Sequence, residues 1–146
     1  MLLAAAVPGA AAPADEAASG PHAEPAAEKV LGIGGLFFRA ADPKGLARWY
    51  FDNLGIATTP MHAGDQPWHT DAGVTSFTPF SQKSTYLGPP TQAWMVNFRV
   101  RDLEKMAAQL RGKGITVDVD PQAYPYGRFA RLHDPEGNPI ELWQPA

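Results

Sequence analysis

The 146-residue chain has no cysteine. That excludes a disulfide framework, a thiolate nucleophile and a thiolate metal site, and it leaves the redox compartment open. Also missing is any stretch near the roughly 18 uninterrupted apolar residues that a membrane-spanning helix needs. No membrane partner is expected. No basic stripe with interleaved aromatics occurs either, so nucleic acid is not an expected partner. The first 28 residues lack Lys and Arg altogether while holding Asp15, Glu16, Glu24 and Glu28, so the negative sign of the net charge of -3 comes from them. The remainder is close to neutral, with 12 basic against 11 acidic residues.

The same 28 residues are mostly Ala with Pro8, Pro13, Pro21 and Pro25, and carry no periodic large apolar residues. Such a composition cannot offset the entropy of ordering, and a disordered tail is expected there. Met1 to Val7 followed by Ala12-Pro13-Ala14 also has the outline of a truncated signal segment without its positive start. The expected location is cytoplasmic, or periplasmic or secreted if that segment is a signal remnant. One domain spans residues 29–146, and at 45% hydrophobic and 18% charged the chain has enough apolar material for a packed core.

What the domain has is a repeat. Phe38-Arg39, Asp42 and Leu46-Ala47 are matched sixty residues on by Phe98-Arg99, Asp102 and Met106-Ala107. An internal repeat of this period decides architecture before single residues do. In the first copy an apolar run over 30–40 leads to Asp42-Pro43, a favoured N-cap and first helical residue. Leu46, Trp49, Tyr50 and Leu54 then recur at helical spacing up to Gly55, which suits a helix C-terminus. Extended runs are predicted over 56–61, 68–71 and 74–80. In the second copy the spacing predicts a strand over 93–100 and a helix capped by Asp102 and closed by Gly112 and Gly114. Further strands follow over 115–119, 128–133 and 139–143, the last two flanking the turn-rich Asp134-Pro135-Glu136-Gly137-Asn138.

Each half therefore reads βαβββ, with modules at about 30–82 and 93–146 joined by a linker over 83–92. Helices on one face of mainly antiparallel strands define an α+β domain. Two curved four-stranded sheets side by side would form a curved mixed sheet around a cleft, where a ligand would sit.

The strings FFRAADPKGLARWYFDNLGI and YGRFARLHDPEGNPIELW carry a resemblance to the vicinal oxygen chelate superfamily, the glyoxalase, bleomycin resistance and dihydroxybiphenyl dioxygenase fold. The resemblance covers about Val30 to Pro145 and implies paired βαβββ units that often associate as homodimers. Metal enzymes of that superfamily present His, Glu or Gln from four strands. Laid over this chain, those positions fall at Gly35, near Phe77, at Met95 and at Glu141. Glu141 alone among them can coordinate a cation, whereas catalytic sites commonly supply about three protein ligands. No metal and no cofactor is therefore expected.

Alternation along the strands puts Phe37 and Arg39, Asn97 and Arg99, and Pro139 and Trp143 on the face of Gly35, Met95 and Glu141. Leu36, Phe38, Val96, Phe98, Ile140 and Leu142 point under the helices. Arg39 and Arg99, with Asn97 between aromatic and thioether walls, suit a flat or anionic molecule. The same arginines also suit ion pairs with Asp42, Glu141 or the C-terminus. Trp143 and Phe77 serve equally as core residues or ligand platforms. Tyr126, beside Gly127, is placed to cover the cleft mouth. His62, His69 and Asp71 match no ligand spacing, and Gly32-Ile33-Gly34-Gly35 enters a strand, so it is no nucleotide-binding loop.

The expected function is that of a metal-independent small-molecule-binding protein of the glyoxalase and bleomycin-resistance type. Its expected ligand contacts are Phe37, Arg39, Phe77, Met95, Asn97, Arg99, Tyr126 and Trp143. An enzymatic alternative is a glyoxalase-like lyase, or a metal-free isomerase with Glu141 as catalytic base in an apolar cleft. A non-catalytic scaffold subunit is the third reading.

Overall fold

Asp42 caps the first helix, α1 (Pro43–Leu54), by accepting from the Gly45 amide at 3.0 Å, with Pro43 in the first turn. Gly55 ends it at φ 70°, a left-handed conformation that glycine adopts without steric cost. Asp102 caps α2 (Leu103–Gly112) in the same way, accepting from the Lys105 amide at 3.0 Å. Both helix starts lie where the sequence places them. The structure is a computed structural model, and it describes residues 30–58, 63–64 and 66–146.

Four strands pair into one mixed sheet: β1 (Val96–Arg99), β2 (Asp118–Val119), β3 (Arg128–His133) and β4 (Pro139–Gln144). Their order is β1-β4-β3-β2, with β1 parallel to β4 and the other pairs antiparallel. Asn97 stands opposite Glu141, Arg131 opposite Glu141, and Asp118 opposite Arg131. That register brings four polar side chains into one row across the sheet.

The other face is the core. Leu46 and Tyr50 of α1 and Leu103, Ala107 and Leu110 of α2 pack with Val117, Ala130, Leu132, Ile140 and Leu142. Leu103, Leu110, Ile140 and Leu142 are fully buried, each contributing roughly 1.5 to 3 kcal/mol. Ile140 and Leu142 alternate with Glu141, so the strand's own pleat separates core from polar row.

The turn between β3 and β4 anchors α1. The buried carboxylate of Asp134 accepts from the amides of Glu136 and Asn138, from Asn138 Nδ2 and from the Tyr50 hydroxyl at 2.7 to 2.9 Å. The Glu136 carboxylate accepts from the amides of Ala41 and Asp42 at 2.9 and 2.8 Å. The DPEGN segment is thus a clamp for the start and middle of a helix more than eighty residues upstream.

One expectation needs correction. The second half forms the four-stranded sheet, but among the described residues the runs over 30–40, 56–58, 66–71 and 74–80 form no strands. Strand sequence acquires strand structure only with a ladder partner, and no second sheet stands beside the first among the described residues. Gly32, Gly34 and Gly35 further weaken the first run. The predicted cleft between two sheets is accordingly an open face of one sheet. The tail over 1–28 and His62 lie outside the described residues. Among the described residues no helix is long and apolar enough to cross a membrane.

Candidate functional site

Glu141 occupies the middle of β4, itself an inner strand, and is 5% exposed. A carboxylate so placed needs partners, because burial without them costs several kcal/mol. It has three. Its Oε1 accepts from the Tyr86 hydroxyl at 2.6 Å and lies 3.4 Å from Arg131 Nη2, and its Oε2 accepts from Asn97 Nδ2 at 2.7 Å. The Arg131 guanidinium in turn lies 4.2 Å from the centre of the Tyr86 ring and donates to the Tyr86 carbonyl at 2.7 Å. Phe80 stacks on the other side of Tyr86, 4.9 Å between centroids and 9° from parallel. Tyr86 of the linker is therefore held between Phe80 and Arg131 of β3, with its hydroxyl on Glu141.

Burial raises the Tyr86 phenol above its ordinary value of 10.0, and the bond to Glu141 adds to the rise while Arg131 opposes it. The hydroxyl therefore stays protonated and remains a donor at neutral pH. Tyr124 is raised chiefly by its hydrogen bond to Asp120, 2.9 Å long.

Next to this polar cluster stands an aromatic wall. Tyr124 stacks on Tyr126 at 5.4 Å, Tyr126 meets Phe129 at 5.8 Å, and Phe129 lies parallel to Trp143 at 6.3 Å and 4°. The Trp143 indole donates to the Tyr126 carbonyl at 2.9 Å and so fixes the segment that carries it. Gly127 makes this close approach possible: it is at φ 128°, and a Cβ there would lie 2.2 Å from the Gln144 carbonyl oxygen. Between wall and cluster is a cleft of about 410 Å³, lined by Tyr86, Tyr124, Tyr126, Phe129, Arg131 and Glu141 with the β2 end, Asp118 to Pro121.

Of the expected site residues, the structure brings Asn97 and Glu141 into direct contact and sets Tyr126 and Trp143 in the wall. Met95 is half-buried just before β1. Phe37 and Phe77 are 88% and 85% exposed and do not line the cleft. Arg99 points to the loop before it, donating to the carbonyls of Asp71 and Ala72 at 2.6 and 3.2 Å. Arg39 is exposed, and among the described residues no hydrogen bond or ion pair involves it. Arg131 is the arginine paired with Glu141.

Sequence reading missed Tyr86, Arg131, Tyr124 and Phe129. Arg131 and Phe129 had a signal, since they alternate with the apolar Ala130 and Leu132 in β3. Tyr86 had none, because nothing local says where a linker residue folds.

The family follows from the chain's match to known domains. A model of the glyoxalase-like domain matches residues 35–143. The chain belongs to the glyoxalase-like domain family. This agrees with the resemblance to the vicinal oxygen chelate superfamily, and the α+β glyoxalase fold is shared with a solved glyoxylase/bleomycin resistance protein/dioxygenase domain from Frankia sp. EAN1pec. That neighbour is 18% identical, with a TM-score of 0.50 over 81% of this chain and 100% of its own. A glyoxalase/bleomycin resistance protein from Streptomyces sp. CB03234 is 39% identical over 34% of this chain, which spans 42% of that protein, with a TM-score of 0.31. TnmS3, an antibiotic binding protein from the same Streptomyces, is 22% identical over 72% of this chain and 88% of its own, with a TM-score of 0.43. No curated protein matches.

Proposed function

We propose that this glyoxalase-like protein binds a small planar aromatic molecule in the cleft beside Glu141, without a metal and without breaking bonds. The observation that carries the reading is the wall of three aromatic rings, Tyr124, Tyr126 and Phe129, that lines an open cleft of about 410 Å³, with Trp143 stacked on Phe129. Tyr126 is 59% exposed, so the wall presents ring surface to an incoming ligand.

Metal independence is supported by the donor set. Glu141 is surrounded by hydrogen-bond donors, the Tyr86 hydroxyl, the Asn97 amide and the Arg131 guanidinium, which satisfy its oxygens and place a positive charge beside it. Gly35, Phe77 and Met95, at the other family positions, offer no hard ligand. Among the described residues no three His, Asp or Glu side chains gather as a cation would require. These residues do not fit a divalent metal.

The reading includes a homodimer. Phe37, Val74 and Phe77 remain 71% to 88% exposed in segments whose sequence has strand character, and a second copy would cover them. Light scattering after gel filtration reads the mass directly: a dimer supports this part, and a monomer at micromolar concentration removes it.

Isothermal titration of chelator-treated protein with polycyclic aromatic compounds tests the binding function. Saturable one-to-one binding that weakens about three- to tenfold in Tyr126→Ala is expected, from the worth of one aromatic contact. Binding that requires added metal, or turnover of the compound, would replace this reading with the enzymatic one.

A further inference from the structure

We infer that the cleft selects a planar aromatic ligand carrying a positive charge over its neutral and anionic counterparts. The inference rests on the aromatic-ligand reading above and adds the sign of the ligand's charge.

Three carboxylates line the cleft, Asp118, Asp120 and Glu141, against a single cation, Arg131. That cation is already paired, with Glu141, the Tyr86 ring and the Tyr86 carbonyl. Asp118 stands directly opposite Arg131 in the β2–β3 register, yet among the described residues it makes no ion pair. Its exposed carboxylate faces solvent at the cleft edge. Among the described residues Asp120 accepts from neutral donors alone, the Gln122 amide and the Tyr124 hydroxyl, each at 2.9 Å, so no cation offsets it.

Among the described residues no arginine other than Arg131 lines the cleft. Arg99 is bound to the carbonyls of Asp71 and Ala72, and Arg128 to Glu104. Ring faces add to the same preference, because the π-cloud of Tyr124, Tyr126 or Phe129 presents negative potential to a cation. A flat cation thus meets aromatic faces and two uncompensated carboxylates in one place. A flat anion meets the same rings and is repelled by both carboxylates.

Three anthracenes of one shape, substituted on the central ring with aminomethyl, hydroxymethyl or carboxylate, separate charge from stacking. Fluorescence titration of the full chain at neutral pH and low salt is expected to rank them aminomethyl, hydroxymethyl, carboxylate, with about tenfold between the first two. High salt narrows the gap, since the carboxylates are accessible to ions. Asp118→Asn and Asp120→Asn each narrow it about threefold or more, read as the ratio of the aminomethyl to the hydroxymethyl dissociation constant within each variant. Circular dichroism verifies the fold of both variants, and the amide oxygen in Asp120→Asn can still accept the hydrogen bond from the Tyr124 hydroxyl.

If the hydroxymethyl compound binds and the aminomethyl compound binds no better, the charge inference falls while the aromatic reading stands. A tighter carboxylate compound overturns it outright. If none of the three binds, the aromatic reading falls and takes the charge inference with it.

Discussion

The Tyr86 hydroxyl donates to Glu141 Oε1 across 2.6 Å, so a residue of the linker supplies one of the three partners of a carboxylate buried in the sheet. Tyr86→Phe keeps the stack with Phe80 and Arg131 and removes only that donor. Asn97 and Arg131 still satisfy Glu141, so the expected loss is about 1 kcal/mol in urea unfolding. A loss of several kcal/mol would mean that the hydroxyl holds the linker alone.

Arg131→Met is expected to cost more. It leaves Glu141 with neutral donors and removes the cation from the Tyr86 ring. Breaking a fully buried pair costs about 3 to 5 kcal/mol, but the Arg131 side chain is 40% exposed, and a loss of about 1 to 3 kcal/mol is expected. The double variant Arg131→Met, Glu141→Gln should recover part of it, as read in a double-mutant cycle.

Tyr50 couples stability to pH. Burial, then the bond to Asp134 and its charge, raise the phenol well above 10.0, so the folded state holds that proton more tightly than the unfolded chain. The contribution is complete below about pH 10, where the unfolded tyrosine titrates, and is lost as pH rises further. Denaturation midpoints of wild type should fall more steeply above about pH 10 than those of Tyr50→Phe. At neutral pH that variant should be about 1 to 2 kcal/mol less stable, because Asp134 loses a buried donor. Parallel pH curves for the two proteins would contradict the assignment.

Gly127→Ala is expected to destabilise by at least about 2 kcal/mol, since alanine at φ 128° is strained and its Cβ would overlap the Gln144 carbonyl. Near-UV circular dichroism should change as well, because Trp143 and Tyr126 meet at this turn.

Local signals were legible in the sequence, and non-local ones were not. Asp42-Pro43, Gly55 and Asp102 encode helix ends through bonds within three or four residues, and the helices start where these residues say. Arg128 to His133 was likewise readable as β3, since its alternation is internal to the strand. The runs at 30–40 and 74–80 have comparable strand character but no partner among the described residues, and pairing is a property of two segments. Glu141 and Asn97 shared a face by alternation alone. The arginine beside Glu141 came from β3, where the repeat had no counterpart to point at it, and Tyr86 entered the site through a linker without periodicity.

The most direct test of the central claim is isothermal titration of metal-free protein with the aminomethyl anthracene, on wild type and on Phe129→Ala. Phe129 touches both Tyr126 and Trp143, so its loss opens the aromatic wall at its middle. One saturable site per chain, weakened about tenfold in Phe129→Ala and indifferent to chelator, is the expected result. Absence of saturable binding, or equal binding by the two proteins, would contradict the claim that this wall is the binding surface.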